Sequence, residues 1–214
     1  MLLCDIGNTN YHFWDNGRRW DVPVGNDFDA IEETIYIVSV NTPAKEFLAS
    51  KARVVELDDT LLNTPYEGLG IDRAMCCLAI THGVVVDAGS AITIDVMHQG
   101  SHQGGYILPG LGSLGETFAT ISPLLGARFS AHKKSDHCEC QRYPLRSDEA
   151  MWEGPSLAVV ALLEAIVRSE EIPLILTGGD ASVIARRLSI DHQVKEDLVF
   201  EGMKKVIEKK GLLC

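Results

Sequence analysis

The sequence lacks a hydrophobic run long enough to cross a membrane, and it is poor in basic residues. No segment approaches the roughly 20 consecutive apolar residues that span a bilayer. The first residues, MLLCDIGN, have neither the basic segment nor the long apolar core of a signal peptide. Lys and Arg number 19 against 30 Asp and Glu, a formal net charge of −11, which disfavours non-specific binding to nucleic acid or anionic lipid. We therefore expect a cytoplasmic protein with no nucleic-acid or membrane partner.

The cysteines lack the regular spacing of a disulfide framework. There are six, two of them adjacent, and they suit reduced thiols in a reducing compartment. The segment HKKSDHCEC has poor spacing for a zinc site, because Cys-x-Cys stands beside an adjacent His and no second pair follows. A polar loop over residues 126–146 is favoured over a metal site. The candidate ligands set aside in this way are His132, His137, Cys138 and Cys140.

What the chain does have is a regular succession of apolar runs and turn residues, which indicates an α/β fold. The first half predicts strands at 1–5, 10–15 and 18–24, then an acidic helix near 27–33 and further strands and helices up to a helix from 71 to 81. The second half predicts strands at 84–88, 91–97 and 102–108, a helix over 111–125 and a long helix over 147–169. Both halves begin with three strands in succession.

The two halves also resemble each other in sequence. LLCDIGNTNYHF aligns with VVVDAGSAITID, which places Asp5 on Asp87 and Gly7 on Gly89. An apolar run, a carboxylate, a glycine and a following alternation match together, which indicates duplication of a lobe. We therefore predict two lobes, residues 1–82 and 83–214, with a central nucleotide cleft between them.

Each acidic turn has two interpretations. Asp5 and Asp87 could cap hairpins through Asx-type hydrogen bonds, as Asp-x-Gly sequences often do. Alternatively, the glycine lets backbone N–H groups approach phosphate oxygens while the carboxylate holds Mg²⁺. Because two corresponding copies occur, the phosphate interpretation is favoured. The stretch LTGGDA, residues 176–181, supports it as a place where the backbone can approach a flat ligand such as adenine.

The motifs together resemble a known family. DIGNT, DAGS and LTGG are similar to turns of the acetate and sugar kinase, Hsp70 and actin superfamily, whose lobes are ribonuclease H-like. PYEGLGIDR at 65–73, DAGSAIT, GGYILPG at 104–110 and LTGGDA, in this order, resemble type III pantothenate kinase over essentially the whole chain. The resemblance implies a homodimer that phosphorylates pantothenate with ATP to 4′-phosphopantothenate, the first step of coenzyme A biosynthesis. It also implies a need for Mg²⁺ and for K⁺ or NH₄⁺.

The resemblance also implies roles for individual residues. Asp72 would be the proton acceptor, and Asp87 would ligate the monovalent cation, with Asp5 as a Mg²⁺ ligand. Arg73 could pair with the pantothenate carboxylate in a bidentate fork. The residues implied for pantothenate are Tyr66, Gly70, Ile71, Asp72, Arg73 and Ser147, and those implied for ATP are Asp5, Ile6, Gly7, Asn8, Thr9, Asn10, Tyr11, His12 and Ser90.

Three departures from the family pattern bear on these contacts. Ser90 stands where many relatives have Thr, Arg146-Ser147 replaces a usual Asn-Thr, and His12 is not a permanent cation. The spacing alone also fits Asp72 as an ordinary acid in the first turn of a helix with a solvated Arg73.

The residues leave three questions open. Either Asp72 or Asp87 could take the proton. The apolar helix at 156–167 could be a dimer interface or be buried within one lobe. Besides a pantothenate kinase, the chain could be a non-catalytic nucleotide-binding regulator or another small-molecule kinase of the same superfamily.

Overall fold

The computed structural model describes residues 1–132 and 143–212, which form two five-stranded sheets with helices. The chain divides into two compact units. Unit 1 contains residues 1–82, 97–104 and 197–214, and unit 2 contains residues 83–96 and 105–196. The predicted α/β class is confirmed. The lobe boundaries at 82 and 83 stay a prediction, since a compact unit need not coincide with a duplicated lobe.

The sheet of unit 1 has the strand order β3-β2-β1-β4-β5. β1 pairs antiparallel with β2 and parallel with β4, and β4 pairs parallel with β5. Leu2, Cys4, Ile6, Tyr11 and Phe13 are buried on the strands because alternate side chains point to the core. The bounds are β1 Leu2–Ile6, β2 Asn10–Asp15, β3 Arg18–Pro23, β4 Ile31–Ser39 and β5 Ala52–Glu56.

The helices of unit 1 are α1 (Thr42–Lys51), α2 (Ile71–Ala79) and α7 (Leu198–Lys210). Asn41 caps α1, because its side chain accepts a hydrogen bond from the Ala44 N–H at 3.1 Å. α2 and α7 are in such close contact that a Cβ on Gly202 would lie only 2.9 Å from Met75 Cα. Glycine at position 202 therefore lets α7 support α2, the helix that carries Asp72 and Arg73.

The sheet of unit 2 is built from β6 to β10, in the order β10-β9-β6-β7-β8. β9 pairs parallel with both β6 and β10. Its strands are β6 Gly83–Ala88, β7 Ala91–His98, β8 Ser101–Pro109, β9 Leu174–Thr177 and β10 His192–Val194. The far end of the β7–β8 hairpin, residues 97–104, belongs to unit 1. The strand order matches that of unit 1, because β6 to β10 take the places of β1 to β5.

The helices of unit 2 are α3 (Leu114–Ile121), α4 (Pro123–His132), α5 (Ser147–Glu170) and α6 (Ala181–Ala185). α5 is long and apolar enough to cross a membrane by length and composition alone. Val159, Val160 and Leu163 nevertheless lie in the core of the unit against the strands. One face of the helix is therefore part of the core of unit 2.

Two local predictions were wrong. The acidic segment predicted as a helix near 27–33 is extended, because Phe28 packs edge-on against Tyr11 and Phe47 and Ile31 pairs with Ala52 in the sheet. Packing with these partners outweighs local helix propensity. The helix predicted at 111–125 is two helices that separate at Ser122, where the next residue is a proline that disfavours helical backbone before it.

The polar loop predicted at 126–146 is also partly wrong, since α4 continues to His132. His137, Cys138 and Cys140 lie outside the described residues, and so does the side chain of His132. Cys4, Cys76 and Cys77 are buried, and none of these three forms a disulfide. Burial in apolar surroundings raises the pKa of Cys4 well above its usual value, so this thiol is protonated at neutral pH.

Candidate active site

The first predicted site element, residues 5–12, forms the end of β1, a turn and the start of β2 in unit 1. The turn is closed by the Gly7 N–H, which donates to the Asn10 carbonyl oxygen at 3.0 Å. Asn8 and Thr9 are exposed at its tip. Asp5 lies opposite His12 across the antiparallel pair, so both side chains project from the same face of the sheet.

Two residues in this element can contribute only through their backbone. Ile6 is fully buried, and Tyr11 is 1% exposed with its hydroxyl donating to the Ala44 carbonyl oxygen at 3.0 Å. Burial raises the pKa of Tyr11, with a smaller contribution from Cys4. Their side chains belong to the core of unit 1.

His12 has a fixed orientation. Its Nδ1 lies 2.8 Å from Asp21 Oδ1, and because an ionised carboxylate only accepts, the proton of this hydrogen bond is on Nδ1. The other ring nitrogen, Nε2, lies 3.8 Å from the place where a Cβ on Gly7 would be. The edge of the imidazole ring that carries Nε2 therefore faces the turn.

Gly7 and the corresponding Gly89 are not required by the packing of the chain itself. A Cβ on Gly7 would be 3.4 Å from the Asn10 oxygen, and a Cβ on Gly89 would be 3.9 Å from the Ala91 oxygen, which are ordinary contacts. Neither residue has a positive φ. Glycine at these two positions fits close approach of a ligand to the backbone.

The second site element, the turn at Gly89-Ser90 in unit 2, packs against two of the other motifs. The Gly110 N–H and the Ser113 hydroxyl both donate to the Ser90 carbonyl oxygen, at 3.1 and 2.8 Å. A Cβ on Gly110 would lie 2.6 Å from that oxygen, so only glycine fits there. GGYILPG therefore holds the DAGS turn in place.

The LTGG motif contacts the same region next to Asp87. Gly178 has φ +89°, and a Cβ on it would overlap Asp87 Oδ1 and lie 2.6 Å from the Ala88 carbonyl oxygen. The Asp180 N–H donates to that Ala88 oxygen at 2.9 Å. The structure thus brings together the predicted site residues Asp87 and Ser90 with the glycine turn of LTGG.

The third site element is the start of α2 in unit 1. Gly70 is the N-cap residue with extended backbone and no side-chain cap, and Asp72 lies in the first turn. Asp72 Oδ1 accepts from the Arg73 N–H at 2.8 Å. A carboxylate in this position is stabilised by the helix dipole, which supports the ordinary structural interpretation of Asp72 alongside a catalytic one.

Arg73, in contrast, is not the solvated arginine that spacing alone allowed. It is 5% exposed, and its guanidinium carbon lies 4.9 Å from the centre of the Tyr66 ring. Its Nη1 donates to the Tyr66 hydroxyl at 3.5 Å. The side chains of Tyr66 and Arg73 therefore contact each other, although seven positions separate them in the chain.

Ser147 is the first residue of α5 in unit 2 and is exposed. It lines a shallow pocket with Arg128, Arg146 and Asp148. Arg146 pairs with Asp148 at 3.2 Å, which raises the pKa of Arg146 through that hydrogen bond. The Ser147 side chain makes no hydrogen bond to another predicted site residue of unit 2 among the described parts of the chain.

Comparisons with known proteins identify the family. The model of the type III pantothenate kinase family matches residues 34–169, which is more than half of the chain. The chain belongs to the type III pantothenate kinase family. A type III pantothenate kinase of Helicobacter hepaticus is 38% identical over 214 residues, covering 98% of this chain and 100% of the relative. The resemblance drawn from the motifs is confirmed.

Solved structures confirm the fold class. A Campylobacter jejuni structure named for the Baf family of transcriptional activators is 32% identical, with a TM-score of 0.77 and full coverage of both chains. A Sinorhizobium meliloti structure named for 2-dehydro-3-deoxygalactonokinase has a TM-score of 0.57 at 12% identity, covering 99% of each chain, and shows the fold alone. The two sheets of equal strand order are those expected of a duplicated fold.

Proposed function

We propose that the chain transfers the γ-phosphoryl group of ATP to the hydroxyl group of pantothenate and so makes 4′-phosphopantothenate for coenzyme A biosynthesis. Family membership supports this activity. The observation that carries the proposal on this chain is the buried Arg73 beneath Tyr66, directly after Asp72. A buried guanidinium beside a tyrosine suits a small carboxylate substrate, because it can bind both carboxylate oxygens.

In this proposal the start of α2 binds the acceptor. Asp72 takes the proton of the pantothenate hydroxyl as the bond to phosphorus forms. Arg73 pairs with the pantothenate carboxylate, and Tyr66 forms an adjoining wall. Gly70 and Ile71 contribute backbone groups, and Ser147 adds a hydroxyl contact.

ATP is held by the two glycine turns. Residues 5–12 bind phosphate oxygens through the Gly7 turn, with Asn8, Thr9, Asn10 and His12 contributing polar side chains, and Ser90 contributes its hydroxyl. The lack of a side chain at Gly7 and Gly89 supports close approach of a ligand to the backbone. Alignment and charge neutralisation are the main needs of phosphoryl transfer, and these groups can supply both.

The residues present fit the two cations that the family implies. Asp5 lies next to the last residue of β1, and its carboxylate is a hard oxygen ligand of the kind that Mg²⁺ takes. Asp87 Oδ1 and the Ala88 carbonyl oxygen both lie close to Gly178. Two oxygen ligands of this kind suit K⁺ or NH₄⁺. The metal ions, when bound, neutralise the charge that develops on the phosphoryl oxygens.

A homodimer is part of the same proposal. Only 28% of the most apolar 18-residue window of α5 is buried, and Leu157 on this helix is 66% exposed. An apolar helix with this much exposed surface suits an interface with a second copy of the chain. The reduced thiols and the acidic charge support a cytoplasmic location.

A turnover assay tests the activity. The protein is incubated with ATP, Mg²⁺, K⁺ and pantothenate, and 4′-phosphopantothenate is detected by mass spectrometry together with ADP release. We expect stoichiometric product and ADP, lost when Mg²⁺ is chelated and reduced when Na⁺ replaces K⁺. Absence of product with all components present contradicts the proposal.

A second candidate function is a non-catalytic nucleotide-binding regulator, which is favoured by the name of the Campylobacter jejuni structure. Calorimetry with ATP together with the turnover assay separates the two functions. A regulator binds ATP without turnover of any acceptor, whereas the proposed enzyme makes product. A third outcome, phosphorylation of a sugar or acetate in place of pantothenate, would identify another small-molecule kinase of the superfamily.

A further inference from the structure

Two residues that are 38 positions apart, Thr64 and His102, join the loop before α2 to the tip of the β7–β8 hairpin in unit 1. The Thr64 hydroxyl and His102 Nδ1 are 2.7 Å apart. Beside them, the His102 N–H donates to the Asn63 carbonyl oxygen at 2.9 Å, and the Asn63 side chain donates to the Ser101 hydroxyl at 3.2 Å. Backbone and side-chain hydrogen bonds therefore join the loop that carries Tyr66 to the hairpin.

Thr64 connects His102 to Tyr66 through a single oxygen. The Tyr66 N–H donates to Thr64 Oγ1 at 3.0 Å, and the same oxygen makes the hydrogen bond with His102 Nδ1. A hydroxyl can accept one hydrogen bond and donate another, so both bonds can exist at once. His102 is completely buried, in an environment where a hydrogen bond is stronger than in water.

The Tyr66 ring lies next to two buried partners. Its centre is 5.8 Å from the centre of the His102 ring, with the planes tilted by 46°, and 4.9 Å from the Arg73 guanidinium carbon. His102 thus contacts the ring directly and fixes its backbone through Thr64. The Tyr66 ring in turn lies against the Arg73 guanidinium and hydrogen-bonds to it through its hydroxyl.

We infer that His102 is a positioning residue that acts through Thr64 to hold Tyr66 and Arg73 in the geometry that binds the acceptor carboxylate. This inference rests on the proposed function, because Tyr66 and Arg73 are there the acceptor-binding pair. His102 does not itself contact the acceptor. Its loss should therefore weaken acceptor binding and leave the nucleotide site unchanged.

The first test compares Thr64→Val with Thr64→Ser. Valine keeps the volume but removes the hydroxyl, whereas serine retains the hydroxyl. We expect Thr64→Val to raise the KM for pantothenate about fivefold to tenfold, with kcat and the KM for ATP within about twofold of wild type. The KM for pantothenate of Thr64→Ser should be close to that of the wild type. Thr60→Val, the same substitution at an exposed position of the same loop, is the control and should change neither KM.

A second pair tests His102 itself. Asparagine at position 102 can place an amide atom near the position of Nδ1, whereas leucine cannot hydrogen-bond. We expect His102→Asn to keep the pantothenate KM closer to wild type than His102→Leu does. A merely structural role is the opposing outcome: both variants then lower the melting temperature and leave the pantothenate KM unchanged, which overturns the inference.

Hydrogen exchange of the Tyr66 amide separates this inference from the proposed function. The Tyr66 N–H should exchange about tenfold faster in Thr64→Val than in wild type or Thr64→Ser, whether or not the protein phosphorylates pantothenate. If the wild type makes no product but this difference is found, the proposed function fails while the link between Thr64 and Tyr66 holds. If exchange at Tyr66 is equal in all three proteins, the positioning inference is wrong.

Discussion

The two five-stranded sheets share one strand order but are built from different residues. The strands of unit 1 carry an aromatic cluster, with Phe13 stacked on Trp20 and Phe28 edge-on to Tyr11 and Phe47. The buried apolar residues on the strands of unit 2 are valine, isoleucine, leucine and alanine, and its buried aromatic residue, Phe129, lies on a helix. The same strand order is therefore compatible with different apolar residues on the strands.

The acidic turns of the two units differ in how they are packed. In unit 1 the turn at Gly7 has exposed tip residues and room for a side chain. In unit 2 the turn at Gly89-Ser90 is held by Gly110, and Asp87 beside it is held by Gly178. The unit 2 turn is therefore packed against two further glycines of its own unit, whereas the tip of the unit 1 turn is exposed.

The largest effect expected from this difference is that of Gly178→Ala. The new methyl group would overlap Asp87 and Ala88 in a backbone of positive φ, so we expect a loss of about 2 to 5 kcal/mol in unfolding free energy. Gly17→Ala in unit 1 is the matched control, since Gly17 also has positive φ but nothing within 4 Å. It should lose about 1 to 2 kcal/mol. Equal losses in urea unfolding would contradict a rigid unit 2 turn.

The next largest effect is expected for Arg73→Lys in unit 1. Lysine cannot form the bidentate fork or stack as a plane on Tyr66, so we expect the KM for pantothenate to rise about tenfold to a hundredfold. Arg186→Lys, on the exposed end of α6 in unit 2, should leave the kinetics unchanged. Steady-state kinetics with each substrate varied in turn makes the comparison. An unchanged pantothenate KM in Arg73→Lys would remove Arg73 from the acceptor site.

A moderate effect is expected when the two corresponding glycines are changed. Gly7→Ala and Gly89→Ala should fold with melting temperatures close to wild type, because a methyl group meets only ordinary contacts at either position. If ATP phosphates approach these turns, the KM for ATP rises about tenfold. A fall in stability with an unchanged KM for ATP would show that the glycines serve the fold instead.

The smallest effect concerns the pH dependence of stability. Hydrogen bonds from Lys210 and Thr60 lower the pKa of Asp58 in unit 1 to about 2. A lowered folded-state pKa stabilises the protein above the unfolded value near 4, and this stabilisation is lost as the pH falls toward 2. Asp58→Asn should therefore flatten the stability profile in this range.

Glu164 is the counterpart in unit 2. Its pKa is lowered mainly by hydrogen bonds from the Ser189 hydroxyl and N–H. Glu164→Gln should likewise remove stability that is present above about pH 4.3 and lost below it. Both side chains are at the surface, so the changes are small and are measured as melting temperatures at several pH values. If the melting temperature of either variant depends more steeply on pH than that of the wild type, the prediction is contradicted.

The sequence predicted most of the strands because their apolar alternation and turn residues are local signals. It predicted the duplicated architecture through the match of Asp5 with Asp87. It failed at 27–33, where the acidic pattern indicated a helix and the contacts of Phe28 and Ile31 favour a strand. It also missed the separation of α3 from α4, although Pro123 was a visible signal.

The site was less predictable than the fold. A charged residue in the first turn of a helix is usually exposed, so nothing local indicated that Arg73 is buried under Tyr66. Thr64 and His102 were missed because their hydrogen bond joins distant parts of the chain and neither stands in a recognisable motif. The role of Asp72 as proton acceptor, and the cleft between the two lobes, stay predictions.

The most direct test of the proposed mechanism compares formation of 4′-phosphopantothenate by the wild type, Asp72→Asn and Asp87→Asn at several K⁺ concentrations. We expect Asp72→Asn to lose a factor of about 10² to 10⁴ in kcat at every K⁺ concentration and still to bind ATP. Asp87→Asn should lose its response to K⁺. If Asp72→Asn keeps its turnover while Asp87→Asn abolishes the reaction independently of K⁺, the proton acceptor is Asp87 and the proposed mechanism is contradicted.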